Sequence, residues 1–121
     1  MVAIDIWTEI INLVGNLPSV PFKHLFTKAL LTRQTALVND LGLIGDDAFE
    51  FMEEYATKFK INKGDYEWQN YFEPEALWLL PSFGKTQVKK PITLGMLELA
   101  AKMGTWNSKL LEQAYLNNDY K

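Results

Sequence analysis

Asn39-Asp40-Leu41-Gly42-Leu43-Ile44-Gly45-Asp46-Asp47-Ala48-Phe49-Glu50-Phe51-Met52-Glu53-Glu54 is the stretch from which the fold is read. A polar, glycine-bearing turn runs here into a segment with helical periodicity. Ala48, Phe51, Met52, Tyr55 and Phe59 recur at i, i+3, i+4, i+7 and i+11, which makes one apolar stripe, and Phe49 and Ala56 are expected to widen it. Glu50, Glu53, Glu54 and Thr57 take the remaining face. Gly45 breaks the preceding segment, and Asp46 or Asp47 is expected to cap the helix by accepting bonds from its free N–H groups. Asp47 and Glu50 also have the spacing of a capping box. The helix should end near Lys60, where basic residues meet the negative end of its dipole.

Working outward, Ala3, Trp7, Ile10, Ile11 and Val14 predict a first amphipathic helix over residues 3–15, with Gly15 and Asn16 at its end and Pro18 and Pro21 beyond. Phe22, Leu25, Phe26, Ala29 and Leu30 form an apolar cluster, read as a short helix or a packed loop. Residues 32–42 read as an irregular connection that turns Leu37, Val38 and Leu41 into the core. Tyr66, Trp68, Tyr71 and Phe72 make an aromatic segment read as extended, and Pro74 can open a short helix through Leu80. Residues 81–91 read as an exposed basic loop. Thr93 is the expected N-cap of a helix through Lys102, with Gly104 as its stop and Trp106 folding back onto the core. Leu110, Leu111, Tyr115 and Leu116 make residues 107–121 either a C-terminal helix or a flexible tail.

The fold class expected is all-α: three to four main helices in one small domain over residues 1–121, with an aromatic and proline-rich insertion before the last of them. The 121 residues suffice for a core without covalent staples, and 48% apolar with 22% charged residues is an ordinary globular composition. No cysteine is present, which excludes disulfides, a thiolate nucleophile and cysteine-ligated metal. The first residues lack the basic and apolar regions of a signal peptide, and no window has the apolar length of a membrane span. A cytoplasmic location without membrane attachment is therefore expected.

Asp40-Leu41-Gly42 followed by an acidic helix resembles the region around the prosthetic-group site of acyl carrier proteins, where Asp-Leu-Gly-x-Asp-Ser-Leu precedes the recognition helix. Thr32, Thr35 and Leu37 resemble the loop before that motif, Asp47, Glu50 and Met52 match positions on the helix, and Thr93-Leu94-Gly95-Met96-Leu97 resembles the start of the family's last helix. Ile44, Gly45 and Asp46 replace the Asp-Ser-Leu, so the chain looks most like the bacterial acyl-carrier-like proteins with Gly-Asp-Asp there. The resemblance implies an acyl-carrier-like bundle. It also implies that the phosphopantetheine serine falls on Gly45, which has no hydroxyl. Two neighbouring aspartates would repel the phosphate, so no cofactor is expected.

The cluster Asp46, Asp47, Glu50, Glu53 and Glu54 reads either as a solvated helix face or as a docking surface for a protein with a basic patch. The second reading gives a non-catalytic, carrier-like interaction module, with these five as partner-binding residues. One alternative is a working acyl or peptidyl carrier modified at an atypical hydroxyl; Thr35 and Thr57 are the nearest. Another is a small regulatory, immunity or nucleic-acid-binding adaptor using Lys85, Lys89 and Lys90, although a net charge of -3 disfavours nucleic acid. No catalytic residue or metal ligand is expected: adjacent Asp46 and Asp47 have no neighbouring base, the spacing of a calcium loop is absent, and the single His24 lies among apolar residues.

Overall fold

The computed structural model describes residues 5–16, 31–43, 45–72 and 90–120. Among them are four α-helices and no strand: α1 (Ile6–Gly15), α2 (Gly45–Phe59), α3 (Leu94–Met103) and α4 (Ser108–Asn117). The all-α expectation is met. The cluster from Phe22 to Leu30 with His24, the short helix from Pro74 to Leu80, and the basic loop except Lys90 and Pro91 lie outside the described residues.

α1 starts where Asp5 accepts a hydrogen bond from the Thr8 N–H at 3.2 Å, and it buries Ile10, Ile11, Leu13 and Val14. It packs against both α2 and α3, and α3 packs in turn against α4. α3 is the centre. Every residue from Leu94 to Ala100 is buried, because the helix is covered on several sides rather than along one stripe. Its expected caps are both present: Thr93 Oγ1 accepts from the Met96 N–H at 3.3 Å, and Gly104 ends the helix at φ +79°.

A carboxylate sits inside that buried run. Glu98 is 2% exposed, and Arg33 meets it with two hydrogen bonds, Nε to Oε1 at 2.6 Å and Nη2 to Oε2 at 3.0 Å. Lys102 stands 3.7 Å away on the next turn. Arg33 remains half-exposed and lies over the Trp7 ring at 4.3 Å, so one side chain joins the irregular segment, α1 and α3. Glu98 holds the guanidinium above its ordinary pKa. Backbone bonds reinforce the seam: Leu37 N–H to Ile92 O at 2.9 Å, Leu94 N–H to Thr35 O at 2.9 Å, and Gly95 N–H to Arg33 O at 3.0 Å. As expected for residues 32–42, Leu37 and Leu41 are buried and Val38 packs against the core.

The chain end closes over α3. Tyr120 is buried, its hydroxyl accepts from Thr93 Oγ1 at 3.1 Å, and its ring lies where a Cβ on Gly95 would come within 2.6 Å. Residues 107–120 are thus a helix and a packed end rather than a tail. The buried side of α4 is Leu111 and Ala114, whereas Leu110, Tyr115 and Leu116 are exposed.

The aromatic segment is not extended. Trp68–Asn70 forms a 3-10 turn that buries Tyr71 and Phe72, because aromatic stacking fixes this stretch rather than strand pairing. Tyr66 stacks on Tyr71 with centroids 5.7 Å apart, and Trp106 meets both rings edge-on. Trp106 is buried, as expected, and its indole donates to the Tyr71 hydroxyl at 3.3 Å.

The Arg33–Glu98 geometry predicts an asymmetric mutational response. Arg33→Ala leaves a buried charge without its bidentate partner and should lower unfolding free energy by about 2–3 kcal/mol, discounted for the exposed side of the pair. Glu98→Met removes the buried charge and frees Arg33 to reach solvent, and should cost less than about 1 kcal/mol. Urea denaturation of both variants checks the order; equal losses would contradict it. Gly95→Ala should cost about 1–3 kcal/mol by displacing the Tyr120 ring. In a Tyr120→Ala background most of that loss should vanish, which a double-mutant cycle measures.

Candidate functional site

α2 begins at Gly45, with φ at +61°, so Asp46 and Asp47 lie within its first turn and not at the cap position. The expected Asp47–Glu50 capping box is therefore displaced; a capping box occurs instead at Thr93 and Met96. The aspartates still sit at the helix end whose dipole favours negative charge. The stripe is buried as read at Ala48, Phe51, Met52 and Tyr55, with Phe59 packed against the core, and the helix ends at Phe59 with Lys60 left-handed at φ +54°.

Phe49 differs from its expected core position. It is 50% exposed. At about 100° per residue, it stands about a quarter-turn off the buried stripe, beside Ala56 and Glu53. Glu50, Glu53 and Glu54 are exposed and line a groove of about 560 Å³ between α1 and α2, together with Glu9, Asn12 and Lys58. Asp46 and Asp47 precede that groove by one helical turn. Lys58 bridges to Glu9 at 2.6 Å, tying the two helices together. Glu67, Glu98 and Glu112 are likewise held by Lys63, Arg33 and Lys90. Among the described residues, none forms an ion pair with Glu50, Glu53 or Glu54. Among the described residues, these three glutamates thus share one face of one helix without an ion-pair partner.

The other flank of α2 borders a second cavity of about 390 Å³. Phe49, Met52 and Ala56 form one side, and Ile61, Tyr66 and Trp68 the other. Glu53 lines both the acidic groove and this apolar cleft. Among the described residues, the buried Tyr66 hydroxyl and Trp68 indole nitrogen have no hydrogen-bond partner. Burial raises the Tyr66 phenol pKa, with the neighbouring Tyr71 adding to the shift.

The wall opposite α2 is fixed by the α3–α4 turn. Asn62 N–H donates to Gly104 O at 2.9 Å, Trp106 N–H to Asn62 O at 3.0 Å, and Ser108 N–H to Asp65 Oδ1 at 2.9 Å. On α2 itself, the Tyr55 hydroxyl donates to Leu97 O at 2.7 Å. Lys90, the described member of the basic loop, is held by Glu112 at 2.8 Å, and that carboxylate raises its pKa. Among the described residues no three His, Asp or Glu side chains gather as a metal site, and no helix is long and apolar enough to cross a membrane.

Residues 3–108 match the family described as a protein of unknown function (DUF1493), and the chain belongs to that family. No curated protein and no solved structure matches the chain. The family match overturns the acyl-carrier resemblance, since this family is not an acyl carrier family. The residues behind the resemblance have local structural reasons. Asp40 closes its own turn by accepting from the Ala36 N–H at 2.7 Å, Leu41 is buried, and Gly42 takes φ +69°. A serine in place of Gly45 would have to adopt the left-handed conformation that glycine tolerates.

Asp65 gives a pH test of the wall. The Ser108 backbone N–H lowers its carboxyl pKa below the ordinary 3.8, with the Ser108 hydroxyl assisting. A depressed folded pKa adds stability above the unfolded value that disappears as pH falls through the folded one. Asp65→Asn should lower the urea midpoint at neutral pH and flatten its decline below pH 3.8. An unchanged acid slope would remove this tether from the account.

Proposed function

We propose that this protein is a non-catalytic interaction module that docks a basic surface of a protein partner on the acidic face of α2. The observation that carries the reading is the set Glu50, Glu53 and Glu54: exposed, on one face, and, among the described residues, without the lysine or arginine partners held by Glu9, Glu67, Glu98 and Glu112. Asp46 and Asp47 extend the negative field toward the helix start. Carboxylates left in water keep their long-range attraction for a cation, and they steer an encounter with little desolvation cost. Such a surface governs orientation and association rate more than it adds affinity. Its work in this reading is recognition.

Reversing Glu50, Glu53 and Glu54 to lysine should abolish recovery of the native partner in a pull-down from cells of origin, while the helical circular dichroism spectrum stays unchanged. The three positions are solvent-facing, so the fold tolerates the change. Partner association to the unmodified protein should slow at least severalfold between low and physiological salt. Full recovery with the reversed face would sink the reading.

A further inference from the structure

We infer that the docking segment of the partner carries one large apolar side chain beside its lysines or arginines, and that this side chain enters the cleft between Phe49 and Trp68. The inference rests on the reading of α2 as a docking face and adds what that face selects. Three observations meet at the cleft. Phe49 is half-exposed at its rim, whereas Ala48, Phe51, Met52 and Tyr55 of the same helix are buried. The cavity, about 390 Å³, is large enough for an aliphatic or aromatic side chain; Met52, Ala56, Ile61, Tyr66 and Trp68 form its apolar lining, and Lys63, paired with Glu67, also lies on its wall. Glu53 belongs to both the cleft and the acidic groove, so a segment seated in the cleft places its neighbouring residues over Glu53, Glu50 and Glu54.

Charge complementarity selects the flanks of that segment, and apolar burial selects its anchor. An anchor in a desolvated pocket with a charged rim is how small interfaces obtain most of their affinity. The cleft wall also holds two buried donors without acceptors among the described residues, the Tyr66 hydroxyl and the Trp68 indole N–H. A polypeptide entering between α2 and this wall brings backbone carbonyls, the acceptors both groups lack, and a modest ring shift lets them bond. Trp68 is held in the wall by its contact with Phe72, centroids 5.7 Å apart, so such a shift breaks no hydrogen bond of its side chain.

The test is a titration of the 15N-labelled full chain with two short peptides. One is Lys-Ser only; the other is the same peptide with a single central leucine. The leucine peptide should bind about tenfold tighter and move the Trp68 indole and Ile61 amide resonances. Phe49→Ala, at an exposed position, should remove that tenfold difference. Ala56→Leu, which fills the cleft, should do the same. Equal binding of the two peptides would overturn the leucine anchor while the acidic docking face stands. Binding of neither would remove both. A Phe49-dependent dimer of the protein in sedimentation, with the cleft closed to peptide, would assign this rim to a second copy and overturn the inference.

Discussion

The whole arrangement depends on burying α3 from Leu94 to Ala100 with a carboxylate in its middle. A fully buried leucine or methionine contributes about 1.5–3 kcal/mol, so this helix supplies much of the driving force of the core. Glu98 is tolerated there only because Arg33 satisfies both its oxygens. That requirement gives the irregular segment after Leu31 a fixed place. The segment lies along the start of α3, where the bonds from Leu37, Leu94 and Gly95 hold it. It then delivers Gly45 and α2 to the bundle. The pair stabilises little in itself, yet separating it leaves a charge in an apolar interior.

A second set of ties sets the direction in which α2 faces. Tyr55 anchors the middle of the helix to Leu97, and Asn62, Asp65 and Trp106 anchor the chain after it to the α3–α4 turn. Lys58 and Glu9 close the other side against α1. With both flanks fixed, Glu50, Glu53 and Glu54 are left on the solvent face and Phe49 at the edge of the cleft. The site is therefore supported by rigid elements, with its acidic and apolar parts adjoining at Glu53. Support of this kind fits the docking role proposed for the face.

Much of the helical framework was legible from periodicity and stop signals. Thr93 and Gly104 bound α3 as read, and the stripe from Ala48 to Phe59 lies on the core. The errors share a cause. Periodicity places Phe49 on the core side because hydrophobicity does not say how wide a buried stripe becomes; neighbouring elements decide that. The aromatic run from Tyr66 to Phe72 looks extended by propensity, which cannot see that Tyr71 and Trp106 meet across 35 residues. Asp40-Leu41-Gly42 suggested a carrier motif, while its tight turn has a local explanation in Asp40 and Ala36. Glu98 carried no sequence signal of its own: a helix with a lysine four residues later ordinarily presents such a glutamate to water.

The sequence by itself determined an all-α chain, the position and ends of α3, and an acidic helix following a glycine-rich turn. These follow from local spacing, capping chemistry and charge, which act over a few residues. Only the tertiary structure decided that Glu98 is buried against Arg33, that Tyr120 closes over Gly95, and that Phe49 stays in solvent beside an aromatic cleft. Each of those depends on groups distant along the chain meeting within a few ångströms. Which glutamates keep a cationic partner, and which are left to water, is settled by that meeting and not by their order in the sequence.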